Sequence, residues 1–333
     1  GKPLAAGTVL KNPEFARSVR LLAEKGSAQF YQGAQAQNIV RAVTGAVDNP
    51  GKISLSDLKN YRVIERQPVC APYREYEVCG MGAPSSGAIA LGEILGVLQN
   101  QDMKALGAEN IHSWRWIGDA SRIAFADRDH YIGDPAFVNV PTRALISQAY
   151  LKPRAEEIRQ SDKALENIQA GKFGKKYAQG MAVELPSTSH LVVVDKDGNV
   201  VSMTTSIENA FGSGLMANGY LLNNELTDFA FNPVGADGKT VANSVAGGKR
   251  PRSSMAPTIV MKDGKPYMAI SSPDGNRIIG FVAKTLVAHI DWGMDIQAAI
   301  SLPNMLNRGS QYEIEEKTAA ADKAAALGKL GYK

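Results

Sequence analysis

Thr188-Ser189-His190 leads directly into the apolar run Leu191-Val192-Val193-Val194, and the polar turn Asp195-Lys196-Asp197-Gly198 separates it from a second run, Val200 to Ser206. Two segments rich in β-branched residues around a Gly-containing turn predict a β-hairpin. The pattern repeats downstream, where Thr258 to Met261 and Tyr267 to Ser271 flank Lys262-Asp263-Gly264-Lys265. Helical periodicity resumes at Arg277 to Trp292 and Ile296 to Leu302, and an Ala/Lys-rich stretch from Thr318 to Leu330 reads as an exposed helix. Thr188 thus stands at a change of texture. Hairpins set between helical segments predict sheets covered by helices.

Upstream of Thr188 the chain reads mainly as helix. Pro13 to Lys25 and Ala28 to Val47 carry apolar residues at helical spacing, and Ser54-Leu55-Ser56-Asp57-Leu58 resembles a capped helix start. Pro84-Ser85-Ser86-Gly87 opens a further helix through Leu98. A longer one runs from Asn110 to Tyr131, with Trp114, Ile117, Ile123 and Phe125 as its expected buried residues and Gly133-Asp134-Pro135 closing it. From about Lys163 to Leu185 the sequence is polar, with Gly171, Gly174 and Gly180 and little periodicity, which predicts an exposed, mobile connector.

Gln67 to Cys70 and Tyr76 to Met81 read as strands of another hairpin. With Arg74 and Glu75 as its loop, Tyr73 faces Tyr76, Pro72 faces Glu77 and Cys70 faces Cys79. The two outer pairs fall at non-hydrogen-bonded positions, which suits a proline without an N–H and brings the cysteines to a separation compatible with a disulfide. Two free thiols on one face are the alternative reading. A disulfide would point to an oxidising compartment.

Composition narrows the function classes. The 333 residues are 44% hydrophobic and 21% charged, ordinary globular material long enough for one large core or two modest ones. Lys and Arg exceed the acids by only four charges and form neither a dense run nor an aromatic-basic stripe, so no nucleic-acid partner is expected. No apolar run approaches the roughly 20 residues that a membrane span needs. The chain begins at Gly1 without a signal-like pattern, so any secretion signal is expected upstream or already removed. His112, His130 and His289 lack Cys or carboxylate neighbours at ligand spacing, and no metal or other cofactor is expected.

Further strings carry the chemistry: Leu222-Asn223-Asn224-Glu225-Leu226-Thr227-Asp228-Phe229, Lys249-Arg250-Pro251-Arg252-Ser253-Ser254-Met255 and Ser272-Pro273-Asp274-Gly275. In this order after Thr188, and together with Phe30-Tyr31-Gln32-Gly33, Tyr73-Arg74-Glu75-Tyr76, Pro84-Ser85-Ser86-Gly87 and Ala126-Asp127-Arg128, they resemble the γ-glutamyltransferase family of N-terminal nucleophile hydrolases nearly end to end. The resemblance implies an α/β (α+β) fold, a four-layer αββα sandwich, truncated at both ends relative to the family. Residues 1–187 would be the C-terminal part of the large subunit and 188–333 the N-terminal part of the small one, the two sharing one core. It also implies self-cleavage at Ser187–Thr188. The chemistry is coherent, because a threonine hydroxyl is a weak nucleophile at neutral pH and a freed α-amine supplies the base beside it.

Site residues follow from the same resemblance. Thr188 would attack the γ-carbonyl of the donor, and Ser206 matches a position that usually carries a threonine beside the nucleophile. Glu208, Glu225 and Asp228 would hold the donor's α-ammonium, with Glu208 standing where relatives place asparagine. Ser253 and Ser254 would bind its carboxylate. Asp274 and Gly275 replace a glycine pair whose N–H groups form the oxyanion hole, and the Asp274 carboxylate could repel the charge that develops there. An arginine near the start of the large subunit clamps the carboxylate in the family, and no local arginine can be assigned that role here. His190 shares a strand face with Thr188, which invites a general-base reading, but the resemblance gives that role to the amine. Between Asp228 and Lys249, Asn232-Pro233, Gly235 and Gly238 suggest a loose cover over the site rather than a tight gate.

The leading expectation is a γ-glutamyl hydrolase and transferase that takes a glutathione-like donor and passes the acyl group to water or to an amine or peptide acceptor, in the periplasm or outside the cell. A cephalosporin (glutaryl) acylase-like amidase shares the Gly248 to Met255 string, but the acidic trio disfavours a donor without an amine. A catalytically silent paralogue that keeps the cradle and does not cleave itself is the reading from a different class.

Overall fold

The computed structural model describes residues 3–174, 177–180, 182, 187–309 and 311–333. The strands of these residues are β1 (Val69–Tyr73), β2 (Tyr76–Gly80), β3 (Thr188–Val194), β4 (Val200–Ser206), β5 (Met216–Ala217), β6 (Tyr220–Leu221), β7 (Thr258–Lys262), β8 (Lys265–Ile270), β9 (Met305–Asn307) and β10 (Tyr312–Ile314). Two compact units divide the chain, Gly1–Glu65 with Ile207–Glu225, and Arg66–Ser206 with Leu226–Lys333.

In the first unit the helices Pro13–Lys25, Ser27–Gln32, Ala34–Thr44 and Leu55–Asn60 surround the short β5–β6 hairpin. The expected helix from Ala28 to Val47 is broken at Gly33, because any side chain there would lie 2.6 Å from the Gln29 carbonyl oxygen. Ser54 and Asp57 form the reciprocal capping box that the sequence suggested.

The second unit is built on the antiparallel sheet β1-β2-β7-β8. Every residue of the Gly87–Leu98 helix is buried, because it packs on β1 and on the helices Ile111–Tyr131, Gln148–Arg159 and Ile278–Ile290. Trp114, Ile117, Ile123 and Phe125 all enter the core, which also takes Val260, Ile278 and Leu286 from beyond Thr188. The Gln148–Arg159 helix carries Pro153 inside it and has a weak apolar stripe, so the sequence did not announce it. In the stretch from Thr318 to Leu330 the α-helix is confined to Ala324–Lys329, and Ala320 and Leu327 are buried rather than exposed.

The β1–β2 register pairs Tyr73 with Tyr76, Pro72 with Glu77 and Cys70 with Cys79, and the two cysteines are disulfide-bonded. This decides between the two readings of the thiols. Among the described residues, Cys70, Glu77 and Cys79 are the one group of metal-ligating type, and the disulfide occupies both sulfurs.

The connector departs from expectation where it is described. Gly171 is held through both backbone groups, its N–H donating to Asp127 at 2.6 Å and its carbonyl accepting from the Tyr131 hydroxyl at 2.6 Å. The Gly180 N–H donates to the Asp129 carbonyl at 3.0 Å, and Tyr177 and Ala178 are buried. Val183 to Pro186 lie outside the described residues.

β3 and β4 pair over their whole length, Thr188 opposite Ser206 through Val194 opposite Val200. One face of this ribbon presents Thr188, His190, Ser202, Thr204 and Ser206, all half-buried, beside the exposed Val192 and Val194. The other presents Leu191, Val193, Val201 and Met203, all exposed.

Candidate active site

Strand pairing brings Thr188 and Ser206 together. Thr188 Oγ1 donates to Ser206 Oγ at 3.4 Å, and Ser206 Oγ donates to the Ser187 carbonyl at 3.1 Å. The residue beside the candidate nucleophile therefore also touches the carbonyl of the Ser187–Thr188 peptide bond. His190 lies on the same face, but its Nδ1 meets Thr204 Oγ1 at 3.0 Å. Burial pushes the His190 pKa down.

Ser253 and Ser254 sit on a loop fixed from two sides by the chain upstream of Thr188. The Ser86 N–H and Oγ both donate to the Ser253 carbonyl, at 2.7 and 2.8 Å, and the Ser253 N–H donates to the Pro84 carbonyl at 3.1 Å. Ser85 Oγ donates to the Met255 carbonyl at 2.5 Å. Such close approach needs Gly87, where a Cβ would lie 2.5 Å from the Met255 carbonyl oxygen. On the other side the buried Arg128 donates through Nη2 to Ser254 Oγ at 2.6 Å and through Nε to Ser86 Oγ at 2.9 Å. The buried Arg252 pairs with Asp129 at 3.1 Å.

Asp228 is buried at the end of the 3-10 turn Glu225–Asp228. The Asn243 side chain links it to the serine loop: its Nδ2 donates to the Asp228 carbonyl at 2.7 Å, and its Oδ1 accepts from the Arg252 N–H at 2.9 Å. Glu208 and Glu225 belong to the other compact unit. Within it Glu208 is buried at a positive φ of 72°, and its carboxylate accepts from Asn224 Nδ2 at 2.5 Å. Glu225 is half-buried, with its N–H on Asn223 Oδ1. In the cover segment Val234 pairs with Thr240 in a small hairpin, Phe229 is buried and Phe231 is exposed.

Asp274 and Gly275 both adopt positive φ, 104° and 57°, ahead of the Ile278–Ile290 helix. Asp274 holds this conformation without the freedom of a glycine. Its carboxylate lies 3.4 Å from Arg277, which also pairs with Glu313 at 2.8 Å. The charge expected to oppose an oxyanion is thus partly engaged elsewhere, although Arg277 is 40% exposed and the pair is correspondingly weak.

Arg128, Ser86 and Asn243 are the positions that sequence reading left without a role. Pro84-Ser85-Ser86-Gly87 and Ala126-Asp127-Arg128 signalled family likeness, but only the fold shows that both motifs converge on Ser253 and Ser254.

Comparison with known proteins agrees with the motifs. The family model described as gamma-glutamyltranspeptidase matches residues 1–333. The glutathione hydrolase proenzyme of Escherichia coli (strain K12) is 38% identical over 345 aligned residues, covering 100% of this chain and 57% of the relative. The acylase ACY 1 proenzyme of Pseudomonas sp. (strain SE83) is 34% identical over 342, covering 100% of this chain and 56% of that protein. Among solved structures, the cephalosporin acylase from Bacillus halodurans aligns with a TM-score of 0.82 at 24% identity, over 98% of this chain and 56% of that one. This likeness shows the α+β fold of the N-terminal nucleophile hydrolases. The chain spans a little over half the length of these relatives, and it belongs to the γ-glutamyltranspeptidase family.

Proposed function

We propose that this chain forms the core of a γ-glutamyl hydrolase and transferase, matured by cleavage at Ser187–Thr188 into large and small subunits. The observation that carries the reading is the line from Thr188 Oγ1 to Ser206 Oγ to the Ser187 carbonyl. In the precursor, Thr188 Oγ1 would attack the Ser187 carbonyl carbon while the Ser206 hydroxyl stabilises the developing oxygen charge. Collapse to the ester breaks the Ser187–Thr188 C–N bond and frees the Thr188 amine, which leaves with the proton the hydroxyl gave up, and water then hydrolyses the ester to release the Ser187 carboxylate and restore the Thr188 hydroxyl. In the mature enzyme that amine takes the hydroxyl proton as Oγ1 attacks the γ-carbonyl of the donor. The N–H groups of Asp274 and Gly275 donate to no acceptor among the described residues, which supports the reading that they receive the oxyanion. The leaving amine departs with a proton, and water or an amine acceptor resolves the γ-glutamyl-threonine ester. No cofactor enters this scheme.

The acidic residues Glu208, Glu225 and Asp228, at positions where the resemblance puts the ammonium contacts, support a donor with an α-ammonium. They weigh against the glutaryl amidase reading that the acylase relatives raise. The Cys70–Cys79 disulfide supports an oxidising location, periplasmic or secreted. Among the described residues no helix is long and apolar enough to cross a membrane.

The test is the N-terminus of the small subunit from the full-length protein. A sequence beginning Thr188-Ser189-His190 is expected, with Thr188→Ala blocking both cleavage and turnover. An intact, uncleaved chain would favour the silent paralogue.

A further inference from the structure

We propose that Arg128 is a positioning residue that biases Ser254 toward donating its proton, so that the site favours an α-carboxylate over an α-carboxamide. The inference rests on the reading of Ser253 and Ser254 as the carboxylate site. It adds a cause for their selectivity.

A serine hydroxyl has one proton and two lone pairs, and a free one turns to suit whichever partner arrives. Both hydroxyls of this pair have one lone pair already taken. Ser254 Oγ accepts from the Arg128 guanidinium at 2.6 Å, the length of a charge-assisted hydrogen bond. Ser253 Oγ accepts from the Met255 N–H at 3.1 Å. Each oxygen faces a donor on the protein side, so one lone pair is taken and each proton turns away from that donor, and the positive guanidinium polarises the Ser254 O–H toward donation. Two such protons match the two oxygens of a carboxylate, and hydrogen bonds to an anion are the stronger ones. A carboxamide offers one neutral oxygen in their place.

Arg128 is held in place for this task. It is 2% exposed, its Nε donates to Ser86 Oγ at 2.9 Å and its Nη1 pairs with Asp129 at 3.0 Å. The same Ser86 hydroxyl donates to the Ser253 carbonyl, so one residue aims the guanidinium and locates the backbone of the first serine. Lysine at this position would keep a charge but could not reach Ser86, Asp129 and Ser254 with a planar fork.

The experiment measures kcat/KM in the full-length protein for γ-glutamyl donors that differ only in an α-carboxylate or an α-carboxamide. The parent should prefer the carboxylate, and Arg128→Lys should lower that preference by roughly tenfold or more, mainly through KM of the carboxylate donor. In a Ser254→Ala background, adding Arg128→Lys should change the preference no further, since both substitutions remove the same interaction. Should Arg128→Lys fail to fold, Ser86→Ala keeps the guanidinium but loses the group that aims it, and a drop of roughly threefold is expected. Equal loss on both donors, additive effects in the double variant, or an unchanged preference in Ser86→Ala overturns the proposal. A parent that turns over neither donor, or prefers neither, overturns the carboxylate reading itself and the proposal with it, and this shows before any variant is made.

Discussion

The Ser253–Ser254 loop and the β3–β4 ribbon both carry residues of the proposed site, yet the chain secures them in opposite ways. The loop is clamped between the Pro84–Ser86 turn and Arg128, and its neighbours belong to the main core. The ribbon is paired only with itself among the described residues and turns Leu191, Val193, Val201 and Met203 outward while half-covering Thr188, Ser202, Thr204 and Ser206. Along β4 that inverts the usual alternation of apolar-in and polar-out. The loop proposed to read the substrate is thus fixed by the fold of this chain, whereas the hairpin bearing Thr188 turns outward an apolar face whose side chains are 44 to 53% exposed.

The sharpest way to break this comparison is Asp228→Asn. Asp228 is joined to the serine loop through Asn243, so a lost ammonium contact should be felt at full strength and not absorbed by movement. Removing one member of a buried charge pair costs about 2 to 5 kcal/mol, so kcat/KM for a γ-glutamyl anilide should fall by more than roughly tenfold. A glutaryl anilide, which has no ammonium, should change little or improve. Parallel loss on both anilides would mean that Asp228 supports the fold instead of reading the amine.

A stability measurement sharpens the same contrast with one residue type. Val260→Ala on the buried strand β7 should lose about 2 kcal/mol in denaturant unfolding, the transfer cost of two methyl-sized groups with its cavity term. Val193→Ala on the ribbon, where the side chain is 53% exposed, should stay within about 0.5 kcal/mol. Equal losses at the two sites would show that the ribbon's apolar face is covered in the folded protein.

The smallest expected effect is a pH dependence confined to the clamped region. Glu93 is fully buried in the Gly87–Leu98 helix, facing Asp127 from the Ile111–Tyr131 helix and Arg154 from the Gln148–Arg159 helix. Burial first, and then the Asp127 carboxylate, hold its pKa well above the usual 4.5, with Arg154 opposing. An acid that binds its proton more tightly when folded contributes stability below its unfolded pKa, and that contribution is lost as pH rises toward the folded one. Glu93→Gln should therefore flatten the decline of Tm above about pH 4.5. A variant whose Tm falls with pH as steeply as the parent's would remove Glu93 as the cause.

Much of this was legible in the sequence where local rules decide. A two-residue turn fixes hairpin register, so the pairing of Cys70 with Cys79 followed from counting outward from Arg74 and Glu75. The Asn110-capped helix was legible for a similar reason, since cap and apolar spacing agree. The family motifs named Thr188, Ser206 and the serine pair. Reading failed where distant partners decide. Gly171, Gly174 and Gly180 looked like mobile chain, because nothing local reveals that Asp127 and Tyr131 hold Gly171 by both its backbone groups. Arg128 lies 126 positions from Ser254, and only the packing of helix against loop joins them.

The anchoring of Gly180 on Asp129 also fixes a leash. If cleavage occurs before Thr188, the chain from residue 181 to the new end at Ser187 reaches at most about 25 Å when fully extended. Its fixed end is the Asp129 carbonyl, one residue from the Arg128 guanidinium that aims Ser254. The freshly made carboxylate at Ser187 therefore stays within that reach of the loop proposed to read carboxylates. The first anion to compete with a donor for that loop would be the enzyme's own tail.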